Sequence, residues 1–192
     1  MKVLALEGSP RRGNSSMLLD WVLEGVREGG GEVTRLRVVE LDIHPCTGCD
    51  SCLSTGECIL ADDMAWLVER VMESWHLVLA SPVYFYHLPA QLKAFIDRLQ
   101  PLWVRRSLLH QDPLQRGGLL FLGVGATRGE RLFEGVLLTL KCVASFLGLE
   151  VLEPLLVRGV DAPGEVARRE DLAREARRRG RELLSRGPGP GL

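Results

Sequence analysis

Four cysteines fall within thirteen residues, at Cys46, Cys49, Cys52 and Cys58. Thiolates are the ligands that iron–sulfur clusters use. Three at successive two-residue spacings can wrap one face of a cubane while a short arm brings in the fourth. Thr47-Gly48 and Thr55-Gly56 give the backbone freedom that such wrapping needs. The spacing therefore suits a 4Fe–4S cluster. Zinc sites more often pair two knuckles across a longer gap; zinc, a regulatory disulfide and free thiols stay open as alternatives. The fifth cysteine, Cys142, lies in an apolar helical pattern and reads as core.

A second group with chemical potential is Gly8-Ser9-Pro10-Arg11-Arg12-Gly13-Asn14-Ser15-Ser16. Small residues allow tight turning, hydroxyls and an amide offer hydrogen bonds, and two arginines add charge. The segment leads into a helix, whose free N–H groups and dipole favour an anion at its start. It has neither the dinucleotide fingerprint nor the Gly-Lys-Ser/Thr of a nucleoside-triphosphate loop, so a monophosphate fits best. A plain polar turn with Asn14 or Ser15 as helix cap is the competing reading. A third group, Ser81-Pro82-Val83-Tyr84-Phe85-Tyr86, places three aromatics just past a strand end, where they suit the wall of a flat ring.

The elements that position these groups follow from the apolar period. Lys2 to Leu6, Glu32 to Leu41, Leu77 to Ala80, Leu119 to Val124 and Val151 to Val157 read as strands. Helical spacing runs from Ser15 to about Gly29, Met64 to Ser74 (with Asp62 or Asp63 as cap), Pro89 to Leu99, Glu130 to Leu147 and Glu165 to Ser185. Strict alternation of five strands and helices argues for a doubly wound parallel α/β sheet with helices on both faces. Such sheets bind ligands at the carboxyl ends of their strands, and all three groups follow strands. Residues 1–186 make one domain, with the cysteine-rich loop 44–60 inserted after the second strand and 187–192 as a flexible tail. In the last helix Glu165–Arg169, Glu170–Arg174 and Glu175–Arg179 are spaced for ion pairs, marking a solvated face. Asp97-Arg98, deep in a helix, reads as a structural pair or helix-end contact. The long connection from Leu99 to Gly117 holds Trp103, Leu108 and Leu109, as an oligomer contact would.

The net charge of −1 argues against a sequence-independent grip on nucleic acid or an anionic membrane. The opening residues lack the apolar core of a signal peptide, and no apolar run approaches the roughly 18 residues of a membrane span. The expected location is the cytoplasm, where reduced thiols point to metal or redox chemistry.

Gly-Ser-Pro-Arg followed by Gly-Asn-Ser-Ser resembles the flavin-phosphate loop of the NADPH-dependent FMN reductase group. Ser81 to Tyr86 with Pro89 and Gln91 to Arg98 resembles that group's second flavin loop and following helix. The cysteine spacing is similar to that of its iron–sulfur flavoprotein branch, although many reductases of the group carry a comparable segment ending in Asp62-Asp63-Met64 without a cluster. The resemblance implies a flavodoxin-like five-stranded sheet in the order 2-1-3-4-5. It implies that Ser9, Arg11, Asn14, Ser15 and Ser16 hold the phosphate of FMN. Pro82, Val83, Tyr84 and Phe85 would line its ring, and Gly125, Ala126, Thr127 and Gly129 would approach the other edge. His87 is the one histidine near that ring and a candidate proton donor. Two functions of different class follow: an FMN-dependent NAD(P)H oxidoreductase acting on a small acceptor, or an iron–sulfur electron carrier serving protein partners. A homodimer or homotetramer is implied for either.

Overall fold

In β1 (Lys2–Glu7) and β3 (His76–Pro82), successive side chains alternate between two apolar layers. Leu4, Leu6, Leu77 and Leu79 face one, and Val3, Ala5, Val78 and Ala80 face the other. β4 (Gly118–Gly125) repeats the pattern, with Leu119 and Phe121 on the first side and Leu120, Leu122 and Val124 on the second. Strands buried on both faces need a helical layer above and below. The computed structural model, which describes residues 1–111 and 117–185, has that arrangement.

The strands run parallel in the order β2-β1-β3-β4-β5, with β2 spanning Glu32–Arg37, as the resemblance implies. The fifth strand is broken. Glu150–Val151 (β5) pairs with Gly118 and Leu119, and Leu155–Arg158 (β6) pairs with Leu122 to Gly125. Pro154 lies in the break, where its missing N–H costs the ladder nothing.

One face carries α3 (Met64–Glu73), α4 (Ala90–Asp97), α5 (Gln100–Ser107) and α6 (Glu134–Leu147). The other carries α1 (Asn14–Glu28) and α7 (Glu170–Ser185), whose backbones touch. A Cβ on Gly25 would sit 2.1 Å from the Arg177 carbonyl oxygen, and one on Gly180 2.0 Å from that of Val22. Arg177–Glu24 and Arg181–Glu28 pairs, each 2.7 Å, flank this contact.

Several expectations are corrected. The second strand stops at Arg37, and Val38–Glu40 turns as a 3-10 helix that tucks Val38 into the core. The Leu99–Gly117 connection contains α5, with Pro101 in its first turn, so half-buried Trp103 is helical; the remainder at 112–116 lies outside the described residues. The helix before the fifth strand starts at Glu134 rather than Glu130. The last helix starts at Glu170, after a 3-10 turn at Glu165–Arg168. Glu165 accepts from the Asp161 and Ala162 N–H groups, and Arg169 pairs with Asp171 at 2.9 Å. The other two expected ion pairs form. Cys142 is exposed, because α6 buries the stripe Val136, Leu140, Val143 and turns Cys142 away from it. The tail expected over 187–192 lies outside the described residues.

Candidate functional site

β1 ends at the buried Glu7, and the chain crosses to α1 through Gly8 to Gly13. The Gly8 N–H donates to the Ala80 carbonyl at 2.8 Å, and a Cβ on Gly8 would meet Leu92 of α4 at 2.5 Å. The loop thus lies flat on its neighbours. Beyond it a cleft of about 150 Å³ gathers Ser9, Arg11, Asn14, Ser15, Pro82, Val83, Tyr84, Gly125 and Ala126. Three loops that are far apart in sequence meet there, as expected. Val160, Asp161 and Pro163 complete the wall and were not foreseen. They lie in a short polar turn after the fifth strand, with no spacing to distinguish it from an ordinary turn.

The residues of the loop after β1 divide by what their side chains already hold. Asn14 donates to the Ala162 carbonyl at 2.9 Å and accepts from the Val166 N–H at 3.2 Å, so it straps the 160s turn to α1. Ser9 Oγ donates to the Arg11 carbonyl, and Arg11 reaches the Asp161 carbonyl at 2.9 Å and its carboxylate at 3.6 Å. Ser16 lies outside the cleft lining; its Oγ donates to Glu7 and accepts from the Gly13 N–H at 3.3 Å. Arg35, 2.8 Å from Glu7, and Arg37, 3.7 Å away, balance that buried carboxylate. Among the described residues the Ser15 hydroxyl makes no hydrogen bond. With the acceptor-free N–H groups of the first helical turn, it is the group ready for an anion.

The cleft is smaller than the roughly 300–1,000 Å³ of a full ligand pocket, so a larger ligand would extend along its rim. Tyr84 and His87 exchange both backbone hydrogen bonds at 2.9 Å around a two-residue turn, and Phe85 and Tyr86 take φ of +49° and +64°. Such turns favour Gly and Asn, so two bulky aromatics there store strain. The turn holds Tyr84 43%, Phe85 101% and Tyr86 58% exposed. Phe85 is thus placed beside the cleft but not within its lining. Thr127 and Gly129 also stand outside: their carbonyls accept from the Gly159 N–H and from Arg158 Nε. His87 does not offer a free nitrogen. Its Nδ1 accepts the Leu88 N–H at 2.9 Å, and Nε2 meets Thr139 Oγ1 at 3.1 Å.

The cysteine loop forms a second pocket of about 380 Å³, lined by Cys46, Cys49, Cys52 and Cys58 together with residues of the α4–α5 junction. Short helix α2 (Cys52–Thr55) ends at Gly56, with φ +70°. Arg105 Nε on α5 donates to the Gly56 carbonyl at 2.8 Å. At the loop's neck, Asp62 accepts from the His44 N–H at 3.0 Å and from the Met64 N–H at 3.0 Å; the cap position of α3 is Asp63, whose side chain makes no cap bond. Arg98 grips the same carboxylate at 2.5 and 2.9 Å and donates to the His44 carbonyl at 2.8 Å. Both side chains are fully buried. Asp97 pairs instead with Lys93, so Asp97 and Arg98 are not partners of each other. Arg98 is buried at the C-terminal end of α4, off the apolar stripe Leu92, Phe95, Ile96 and Leu99. A buried arginine needs a partner, but its burial cannot be read from the helical spacing.

Burial raises the Cys52 thiol, and the neighbouring charges of Cys58, Cys46 and Cys49 add to that rise. Hydrogen bonds from Ser51, then Thr47, lower the Cys49 thiol. The other three sulfurs are thus near enough to act on Cys52, and the donor set fits a thiolate-ligated cluster by its chemistry. Among the described residues no three metal-binding side chains are drawn together closely enough to hold an ion. Cys46, Cys49 and Cys58 are exposed and Cys52 is half-buried.

The sequence profile of the NADPH-dependent FMN reductases matches residues 1–148. The chain belongs to that family. Among its curated relatives is an iron-sulfur flavoprotein of Archaeoglobus fulgidus, 44% identical over 109 residues, which are 56% of this chain and 50% of the relative. An iron-sulfur flavoprotein of Methanocaldococcus jannaschii is 33% identical over 131 residues, covering 68% and 66% of the two chains. The chain thus aligns with about half to two thirds of these relatives' length. Among solved structures, the NAD(P)H:quinone oxidoreductase from Methanothermobacter marburgensis superposes with a TM-score of 0.72 at 21% identity, covering 100% of this chain and 99% of the other. An NADH:FMN oxidoreductase gives 0.68 at 20% identity, covering 98% and 91%. Both support the flavodoxin-like fold. Among the described residues no helix is long and apolar enough to cross a membrane.

Proposed function

We propose that this FMN reductase family member binds FMN with its phosphate in the cleft after β1 and acts as an NAD(P)H-dependent oxidoreductase. Its acceptor would be a small molecule of the quinone or flavin type, or a redox protein. The observation that carries this is the free Ser15 hydroxyl beside the open N–H groups of α1, facing the ends of β3 and β4. Bound FMN supplies a centre that takes two electrons from a nicotinamide and passes them on. The chain's part is to bind and orient. Ser15 and the first turn of α1 meet the phosphate; Asn14 keeps the 160s wall in place; Pro82, Val83 and Tyr84 border the ring, with Gly125 and Ala126 opposite. Thr127 and Gly129 would contribute through their loop's backbone, and Phe85 through the strained turn. Titration with FMN and riboflavin tests this. FMN should bind far more tightly, and equal affinities would remove the phosphate from this cleft. Anaerobic mixing with NADPH and with NADH then shows which reduces the bound flavin.

The cysteine pocket favours a second reading, that Cys46, Cys49, Cys52 and Cys58 ligate a 4Fe–4S cluster and the protein carries single electrons between protein partners. Rapid NAD(P)H oxidation would support the enzyme, whereas slow oxidation with fast reduction by a ferredoxin would support the carrier. Anaerobic reconstitution that yields bound FMN but no iron or sulfide would end the cluster reading and leave the reductase intact. For either role we place the chain in a reducing compartment such as the cytoplasm, assembled as a homodimer or homotetramer. Trp103→Glu on α5 should shift gel-filtration elution toward monomer, and an unchanged volume would remove that face from the interface.

A further inference from the structure

The cysteine loop leaves the sheet after β2 and returns at α3, and its neck closes on one side chain. Arg98 joins the two ends of the loop by donating to the His44 carbonyl and to both oxygens of Asp62. The Asp62 carboxylate is fully engaged, because the His44 and Met64 N–H groups also donate to it. Burial opposes ionisation of Asp62, but these bonds, Arg98's first, hold it below the ordinary carboxylate range.

The guanidinium is not fully engaged. Arg98 is 2% exposed, yet its Nε finds no hydrogen-bond acceptor. Buried N–H donors are nearly always matched, and an unmatched one is costly. Arg98 lines the same pocket as the four cysteines and is the one cation among the residues that line it. The neighbouring sulfur is Cys58, whose charge acts on that of Arg98. A neutral thiol accepts weakly, but a thiolate ligating a cluster keeps negative charge and accepts well from a charged donor.

We propose that Arg98 is the positioning residue of the cysteine site: its two Nη groups close the neck of the loop, and its Nε is the donor to the Cys58 sulfur. This rests on the reading of the four thiols as one ligand set. It also gives a reason for arginine rather than lysine. A rigid fork can grip a carboxylate with one edge and present a further N–H in a fixed direction, which a point-like ammonium cannot.

The test uses the full chain loaded with FMN and reconstituted anaerobically with ferrous iron and sulfide. Arg98→Lys keeps a charge for Asp62 but removes Nε. Removing a donor from a ligand sulfur disfavours the reduced cluster, so its midpoint potential, followed by electron paramagnetic resonance, should fall below that of the unaltered protein. Iron retained after challenge with a chelator should drop several-fold, with FMN stoichiometry unchanged. Should the lysine variant misfold, Asp62→Asn with Arg98→Gln removes both charges together and should show the same two losses. Equal potentials and equal iron retention would overturn the proposal. If the unaltered protein takes up no iron, the ligand-set reading fails by itself, and metal-free protein decides the role of Arg98. Arg98→Lys should then speed amide exchange at His44 and change the rate at which Cys58 reacts with a thiol reagent. No change in either would remove the positioning role.

Discussion

The cleft at Ser15 and the pocket at Cys46 to Cys58 both follow strands of one parallel sheet, but they are held by different means. The cleft is made of backbone: the first turn of α1, the ends of β3 and β4, and the turn that Asn14 straps across. Its groups stay in place because the sheet and α1 do. The cysteine pocket is made of a loop with a four-residue helix, and a few side chains anchor it, chiefly Arg98 at the neck and Arg105 at Gly56. The first site should therefore tolerate loss of a side chain by losing affinity alone. The second should respond by losing structure.

The most severe way to break this contrast is Arg98→Met, which leaves Asp62 charged, buried and unpaired. Removing one partner of a buried pair costs about 3–5 kcal/mol, so urea unfolding should show a loss of that order, and a loss below about 1 kcal/mol would count the neck as unimportant. The same pair can be titrated. The folded pKa of Asp62 is depressed, so its contribution is complete above the ordinary carboxylate range and is lost as pH falls through the lower folded value. The stability gap between the unaltered protein and Arg98→Met should accordingly narrow in acid, where protonation relieves the orphaned carboxylate of the variant. A gap that stays constant with pH would mean that Asp62 is not the source.

A smaller effect is expected in the cleft. Ser15→Ala removes one hydrogen bond to a charged group, worth roughly 1.5–3 kcal/mol, so FMN affinity should fall about tenfold to a hundredfold. Riboflavin affinity and unfolding should barely change. Ser16→Ala should do the reverse, lowering stability by about 1 kcal/mol, because its hydroxyl serves Glu7. If both substitutions cost only FMN affinity, the division of labour drawn between the two serines is wrong. The smallest effect is Arg105→Ala, which should loosen the loop around Gly56 by about 1 kcal/mol. Hydrogen exchange should show it there and nowhere in the cleft.

The sheet order, the meeting of the loops after the first and third strands, and the gathering of four thiols in one pocket could be read from the sequence because each depends on local pattern: strand period, Gly-Ser-Pro turns and cysteine spacing. What escaped depends on contacts between distant segments. Asp62 looked like a helix cap and Arg98 like a helix-end residue, and only the fold brings them together 36 positions apart. The wall at Val160 to Pro163 joins the cleft through Asn14, nearly 150 positions away. Cys142 was assigned to the core because its neighbours are apolar, whereas α6 is apolar enough to expose Leu138, 72% accessible, as well. In so apolar a helix the buried stripe is hard to tell from the exposed one by composition.

The bare backbone contact between α1 and α7 also bears on the order in which the molecule can be completed. α1 is among the first elements made and α7 is the last of those described, yet each covers the other. During synthesis the surface of α1 around Val22, Gly25 and Val26 would wait until residues beyond 170 arrive, leaving a nascent face in need of shelter. Because Gly25 and Gly180 let two main chains meet without intervening side chains, that late docking admits one depth and little sliding. Any side chain at either position would leave the early half of the sheet folded but uncovered, a route to aggregation rather than to a slightly weaker protein.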